Sequence, residues 1–223
     1  MIIPISYPLK STDPLYPGTP PVTIVQEKSI ASGDSSNTSR ISFSSHSGTH
    51  LDFPYHFCME GIPGQDYFPG ISEIFPVYCI DLPVLKIREI VPADLQGRIE
   101  NCANAAGLFI RTGWWEKRGA ERDEYSSKHP WISPELPSYI RQMCPNLSLF
   151  GLDQISISSP LHREAGREAH RQFLCHFKPV LLLEDCDLHD SRLISGSFIL
   201  HLFPLLHGNA DGIPVVAIME KTL

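Results

Sequence analysis

The amino-acid sequence predicts a single mixed α/β domain, residues 1–223, that is rich in strands and has few helices. Its 223 residues, 42% of them hydrophobic, are enough for one globular domain with its own core. Short apolar or alternating segments, which are typical of strands, outnumber segments with helical periodicity. Strand and helix patterns alternate most clearly in the second half of the chain, and this alternation favours an α/β arrangement.

The N-terminal part of the sequence predicts an extended arm followed by two strands. Six prolines lie within residues 1–25, a density that excludes a long helix there. Tyr16-Pro-Gly predicts a turn, and residues 22–26 and 40–44 predict strands. The second of these strands should lead the chain directly to His46.

The remaining elements follow a long irregular loop at residues 60–76, which is rich in glycine and proline. Apolar runs predict further strands at residues 77–82, 107–111, 147–152, 180–184, 198–203 and 213–219. The sequence predicts a helix and turn over residues 89–104 and a helix over residues 164–177. A further helix should begin at Ser133-Pro-Glu, where a capping residue precedes proline and an acid.

Composition excludes several classes of partner. The formal net charge of −7 gives no electrostatic basis for binding nucleic acid or an anionic membrane. No apolar run approaches the roughly 20 residues of a membrane helix, and the start of the chain lacks the features of a signal peptide. We therefore expect a cytoplasmic protein. Its six cysteines have no Cys-x-x-Cys spacing, so we expect six free thiols, mostly buried.

The strongest anomaly in the sequence is a group of three histidines and an aspartate. His46, His50, Asp52 and His56 fall within residues 46–56, in a segment where glycine and proline make a regular helix doubtful. A strand end followed by a tight loop fits better, and His50 and Asp52 then project to one side of the strand. Imidazole and carboxylate together suit zinc, and also manganese or iron. Asp52 has two oxygens and can bridge two ions.

Two distant residues are further candidate ligands. Glu184 ends the apolar run of residues 180–183, where a carboxylate is costly unless it is paired or bound to a metal. His170 lies on a predicted helix, where it can equally be an exposed or capping residue, and His162 and His176 are alternatives to it. Asp153 also ends a strand, and we interpret it as a structural group or as an acceptor for a ligating histidine.

The motif His46-x-Gly-Thr-His50-x-Asp52-x-Pro-x-His56 resembles the signature of the cyclase family of metal-dependent hydrolases, which includes bacterial kynurenine formamidase and isatin hydrolase. Weaker matches follow in the same order along the whole chain. They are Tyr16-Pro-Gly, Ile110-Arg-Thr-Gly-Trp, Gly151-Leu-Asp, Glu168-Ala-His, Leu183-Glu with Asp187-Leu, and Gly208-Asn-Ala-Asp-Gly-Ile-Pro. The resemblance implies the cyclase-like fold of the swivelling β/β/α type.

The resemblance also implies residue roles. His46, His50 and Asp52 would hold one ion, Asp52 would bridge to a second ion completed by His170, and Glu184 would join both. His56 would be a catalytic acid/base, and Tyr16 would line the substrate pocket. One or two Zn²⁺ ions are expected per chain, with Mn²⁺ as the alternative.

Two further residues are candidates for substrate binding. Phe57 and neighbouring aromatic residues can form an apolar site for an aromatic ring, although they can also simply pack. Arg111 can pair with a substrate carboxylate through its planar guanidinium, or it can form a structural ion pair.

Hydrolysis of an amide bond, in a formamide or a lactam of a small aromatic molecule, is therefore the leading prediction. The alternatives are a metal-dependent cyclase or lyase that stabilises an enolate, and a non-catalytic metal- or ligand-binding protein. Ser158 and Ser159 replace an acidic residue that is common in the family, and the separation of His170 from Glu184 is longer than usual. These differences affect the pocket and the choice of substrate. The resemblance also suggests a homodimer or homotetramer.

Overall fold

The computed structural model describes residues 1–222 of the chain. Its strands are β1 (Ile2–Pro4), β2 (Thr23–Lys28), β3 (Thr38–Ser42), β4 (His50–Asp52), β5 (Glu73–Asp81), β6 (Glu89–Ile90), β7 (Gly107–Arg111), β8 (Trp131–Ile132), β9 (Leu149–Leu152), β10 (Leu181–Glu184), β11 (Phe198–Pro204) and β12 (Gly212–Lys221). Its α-helices are α1 (Pro92–Leu95), α2 (Lys117–Ala120), α3 (Arg122–Ser127), α4 (Leu136–Met143) and α5 (Arg163–Leu174). Single 3-10 turns span Ile30–Ser32, Pro54–His56, Gly64–Tyr67, Ile99–Cys102, Trp114–Glu116 and Ser191–Ile194. The predicted strand-rich α/β class is confirmed.

Seven strands close into a barrel-like sheet in the order β12–β11–β5–β7–β9–β10–β4, and β4 pairs back with β12. The neighbours β5, β7, β9 and β10 run parallel, as strands joined by helical crossovers do. The other pairs of the ring are antiparallel. β1 lies beside β12 outside the ring, so the first residues of the proline-rich segment belong to the sheet.

The barrel wall separates two apolar cores, because neighbouring residues of a strand point to opposite faces. One core fills the barrel and takes residues from all seven strands, among them Leu51, Phe109 and Leu183. The other lies between the outer face of the sheet and the helices, and includes Leu108 and Leu182. Residues next to Leu51 and Leu183 in the sequence therefore point outwards, to the side covered by α5.

The helix and turn predicted for residues 89–104 are a short helix, Pro92–Leu95, and the 3-10 turn Ile99–Cys102. Leu95, Ile99 and Cys102 are buried and have helical spacing, which explains the prediction. Gly97, however, has a φ of 78°, and this left-handed conformation separates α1 from the 3-10 turn that follows. No helix in the described residues is long and apolar enough to cross a membrane.

Two other predicted boundaries also shift. α4 begins at Leu136, two residues after Pro134, the predicted first helical position, and residues 134 and 135 form a turn. The strand predicted for residues 40–44 ends at Ser42, so a short turn separates it from His46.

The prediction of six free thiols is wrong for two of them. Cys58 and Cys175 form a disulfide between residues separated by 117 positions in the sequence. It ties the turn after β4 to the end of α5, a contact that only the folded chain creates. The remaining cysteines are free and buried, as expected: Cys79, Cys102, Cys144 and Cys186.

We expect Cys58→Ser to lower the free energy of unfolding by about 2–4 kcal/mol, because the disulfide restricts a long loop of the unfolded chain. Urea denaturation measures this change. Wild-type protein reduced with a phosphine should unfold like the variant, and the reductant should leave the variant unchanged. A thiol titration that finds six free thiols in the denatured, unreduced protein would contradict the disulfide.

Candidate metal centre

Two neighbouring strands deliver three of the predicted ligands to the outer face of the barrel. β4 and β10 pair antiparallel, with His50 directly opposite Glu184. Leu51 and Leu183 point into the barrel, so His50, Asp52 and Glu184 point to the opposite face. Their relative exposures there are only 3%, 1% and 3%. The alternation that the sequence predicted for His50 and Asp52 is thus present in the structure.

The ligand atoms form two adjoining sets that share both carboxylates. In the first set, His50 Nε2 lies 3.4 Å from Asp52 Oδ1 and 3.6 Å from Glu184 Oε2. In the second, His170 Nε2 lies 3.6 Å from Asp52 Oδ2 and 3.5 Å from Glu184 Oε1. These separations exceed those of N–H···O hydrogen bonds, and they match the distance of about 3.4 Å between two ligands of a tetrahedral ion with bonds of about 2.1 Å. The arrangement fits one ion on each side of the carboxylate pair.

Backbone carbonyls orient two of the imidazoles. His50 Nδ1 lies 2.8 Å from the carbonyl oxygen of Gly48, and His170 Nδ1 lies 2.8 Å from that of Gly166. A carbonyl only accepts, so each Nδ1 carries a proton, and in the neutral imidazole each Nε2 then presents a lone pair to the carboxylates. The carboxylates therefore need a positive charge at this point, either a second proton on the ring or a metal ion between Nε2 and the oxygens.

The carboxylate of Glu184 is also held by the segment before α5. Its Oε1 accepts hydrogen bonds from Ser156 Oγ at 3.0 Å and from the backbone N–H of Ile157 at 2.7 Å. These donors orient Glu184 between His50 and His170.

His46 lies between two carboxylates, one of which the sequence analysis did not single out. Its Nδ1 is 2.8 Å from Asp52 Oδ1, and its Nε2 is 3.1 Å from Asp211 Oδ2. Because Nδ1 faces the cluster, Nε2–H is left to donate to Asp211, an arrangement typical of ligating histidines. Asp211 belongs to the segment Gly208 to Pro214 that resembles a family landmark, and that segment was the available signal.

The pKa values of the cluster are shifted in the direction that favours positive charge on the imidazoles and negative charge on Asp52. Burial lowers the pKa of His46, but Asp52 and Asp211 outweigh this effect and raise it to about 10. His170 behaves in the same way, because the nearby carboxylates of Asp52 and Glu184 outweigh burial and raise its pKa to about 9. Burial raises the pKa of Asp52, yet the surrounding imidazoles hold it well below the usual value.

His56 and Phe57 stand beside the cluster on the turn that follows β4. The ring centroid of His56 is 4.0 Å from that of His46, and its Nδ1 is 3.9 Å from Asp211 Oδ2. Burial lowers the pKa of His56 to about 4, against the opposing charge of Asp52. Phe57 stacks on His170 at 4.5 Å. The next residue is Cys58, whose disulfide anchors this turn to α5.

A cavity of about 320 Å³ opens onto the cluster. All five predicted ligands line it and form its floor, and His56 and Phe57 line its wall. Tyr16, which was predicted to line the substrate pocket, lines this cavity together with Ile155 and Ser158. The volume is in the range of pockets for small ligands. An ion held by the cluster would therefore be accessible to a small molecule.

Arg111 does not line this cavity, so its predicted contact with a substrate carboxylate does not agree with its position. Its Nη1 forms an ion pair with Asp81 at 2.7 Å, and its Nε donates to the carbonyl of Leu188 at 2.7 Å. The structure thus shows Arg111 in an ion pair, which was the alternative interpretation of this residue.

Other polar residues of the sequence analysis have structural surroundings. Asp153 accepts hydrogen bonds from the backbone N–H groups of Thr112 and Gly113, and burial raises its pKa to about 6. Of the alternatives to His170, His162 stacks on Trp131 at 3.9 Å. His176 does not line the cavity either.

Comparison with known proteins agrees with this geometry. Residues 3–159 match the family model described as "Putative cyclase". The chain is 31% identical to a kynurenine formamidase of Geobacillus thermodenitrificans, over 98% of this chain and 97% of that protein. Its fold is similar to that of isatin hydrolase A from Labrenzia aggregata, with a TM-score of 0.81, 20% identity, and coverage of 100% of this chain and 94% of the other. A structure from Bacillus stearothermophilus described as a "predicted metal-dependent hydrolase" has a TM-score of 0.74 at 18% identity, over 98% and 97% of the two chains.

We expect Gly212→Ala to weaken metal binding by about tenfold or more while the protein stays folded, an effect typical of losing support for a ligand. A Cβ at Gly212 would lie 2.4 Å from Cε1 of His46, so the imidazole must move away from the cluster. Gly208→Ala is the matched control, because nothing lies within 4 Å of its Cβ position. Equilibrium dialysis with elemental analysis measures both, and equal metal affinity in the two variants would contradict the position of His46.

Proposed function

Because this chain belongs to the cyclase family, we propose that it is a metal-dependent hydrolase that cleaves a non-peptide amide bond, in a formamide or a lactam, of a small aromatic molecule. One observation carries the proposal: imidazole nitrogens and carboxylate oxygens from three separate parts of the chain converge at the floor of an open cavity. A kynurenine formamidase is among its relatives over nearly the full length, which supports a formamide as substrate. Similarity of fold to an isatin hydrolase supports a lactam as the second candidate.

The donor set supports one or two divalent ions. In this proposal His46, His50 and Asp52 hold one ion, His170 completes a second, and Asp52 and Glu184 contact both. Mixed nitrogen and oxygen donors favour Zn²⁺, with Mn²⁺ as the alternative. Such an ion supplies Lewis-acid activation of water and of the scissile carbonyl.

His56 is the proposed acid/base, on grounds of position. Its side chain is 29% exposed, so it reaches the cavity while its ring remains against His46. There it can take a proton from the attacking water and return it to the leaving nitrogen, the step that makes an amine a good leaving group. Asp211, 3.9 Å from His56 Nδ1, can orient the ring.

The walls of the cavity support an aromatic substrate. Phe57 is fixed by stacking on His170, and Tyr16 stands among the other residues that line the cavity. A planar ring can pack against these faces while its amide reaches the floor.

Two observations argue against a metal with a purely structural role. Structural zinc is usually enclosed by cysteine and histidine, whereas this cluster contains two carboxylates and opens to a cavity. Cys58, the cysteine nearest in sequence, is engaged in a disulfide. A cyclase or lyase with the same ions remains the alternative chemistry, and it would form product without consuming water.

Assembly and compartment are further parts of the proposal. Every residue of the β2–β3 ribbon is exposed, including Ile24, Val25 and Ile41, which supports a contact with a second copy in a homodimer or homotetramer. The cytoplasm was predicted from the sequence, but the Cys58–Cys175 disulfide is more typical of an oxidising compartment.

The decisive experiment combines metal identity with activity. Elemental analysis and anomalous scattering of the purified protein would identify the ions, and assays with N-formylkynurenine and isatin would test the two substrate classes. Light scattering of the same sample gives the oligomeric mass. A metal-free protein, or a metal-loaded protein inactive on formamides and lactams, would refute the proposal.

We expect His56→Ala to lower kcat by about 10²- to 10⁴-fold, the usual contribution of a general acid/base, with little change in bound metal. Asp52→Asn is the informative comparison, because it removes the shared carboxylate charge and should empty the site. Elemental analysis and kinetics on the same preparations separate the two effects. Loss of metal from the His56 variant would instead make His56 a ligand.

A further inference from the structure

Helix α5 carries more than the ligand His170 on the side that faces the cavity. Arg163 and Arg167 also line the cavity, and the spacing of residues 163, 167 and 170 places all three on one stripe of the helix. With a rise of 1.5 Å per residue, Arg167 stands about 4.5 Å and Arg163 about 10 Å farther along the helix axis than His170. His170 is buried and both arginines are exposed, so the stripe runs from the buried floor of the cavity toward solvent at its mouth.

The guanidinium groups of this stripe are available to a ligand. Within residues 1–222, Arg163 forms no ion pair or side-chain hydrogen bond. Arg167 pairs with Glu164 at 2.7 Å, but the two side chains are 52% and 80% exposed. Such an exposed pair is weak and is readily exchanged for another anion.

The positive charges of Arg163 and Arg167 act on Tyr16, another residue that lines the cavity. Burial raises the pKa of Tyr16, and the charges of Arg163 and Arg167 act in the opposite direction. Tyr16, Arg163 and Arg167 line the same cavity, which agrees with this effect. No lysine lines the cavity in the described part of the chain, so these arginines supply its fixed positive charge away from the metal ligands.

We propose that Arg163 and Arg167 form a specificity subsite for an anionic group, a carboxylate in the simplest case, on the substrate end remote from the scissile amide. The subsite rests on the proposed function, since it would bind one end of a substrate whose amide lies at the metal cluster on the cavity floor. The ring of the substrate then lies between Phe57 and Tyr16, and its carboxylate meets the planar guanidinium groups at the mouth. This is the role that the sequence analysis considered for Arg111, whose guanidinium is occupied by Asp81.

The test compares two formanilides of the same shape. One is 3-(4-formamidophenyl)propanoate, and the other is its uncharged primary carboxamide. We expect the protein to prefer the carboxylate, and Arg163→Gln combined with Arg167→Gln to reduce the ratio of the two kcat/KM values by about tenfold or more, as for the loss of a hydrogen bond to a charged group. The change should lie mainly in KM for the carboxylate.

Arg171→Gln is the matched control. Arg171 lies on the same helix and pairs with Glu168 at 3.0 Å, but it does not line the cavity. Its substitution should leave the ratio unchanged. Equal kcat/KM values for the two formanilides, or the same ratio in the double variant and in the wild type, would overturn the subsite and leave amide hydrolysis standing.

Binding of 3-phenylpropanoate, which has no amide, separates this inference from the proposed function. Calorimetry should detect binding to the metal-loaded wild type and at least about tenfold weaker binding to the double variant. If neither formanilide is hydrolysed but this difference remains, the subsite stands and the proposed function fails. Equal affinity of the two proteins for 3-phenylpropanoate would overturn the subsite.

Discussion

The site depends on the burial of two carboxylates side by side. Asp52 and Glu184 are almost inaccessible to solvent, and burying such charges is costly unless they are balanced. Three imidazoles lie against them, and those of His50 and His170 have Nδ1 atoms that donate to backbone carbonyls, so in the neutral form their Nε2 atoms face the carboxylates with lone pairs. The balance of charge must come from protons or from metal ions. The rest of the fold keeps this arrangement in position.

The paired strands set the geometry on which this balance relies. Because β4 and β10 pair with His50 opposite Glu184, the two carboxylates and one imidazole are fixed by the sheet itself and not by flexible loops. The third element, α5, reaches them because a glycine lets it approach closely. A Cβ at Gly166 would lie 2.0 Å from that of Ser158, so a larger residue there would push His170 away from the carboxylates.

Helix α5 also connects the chemistry to recognition. His170, against which Phe57 stacks, lies near its C-terminal end, and Arg163 and Arg167, which also line the cavity, lie in its first two turns. The Cys58–Cys175 disulfide joins the far end of the helix to the turn that bears His56. The turn that carries His56 and Phe57 is therefore covalently linked to the helix that carries His170.

The sequence alone determined the local part of this site, and tertiary structure decided the rest. Ligand chemistry and strand alternation are local properties, so residues 46–56 and the carboxylate at the end of β10 could be recognised before any fold was known. Proximity is not local. Three features depend on contacts between segments far apart in the chain. Asp211 lies beside His46, Cys58 is bonded to Cys175, and the cavity is lined by Arg163 and Arg167, whereas Arg111 pairs with Asp81. No spacing pattern encodes such contacts, because they arise only when the barrel closes and α5 packs against it.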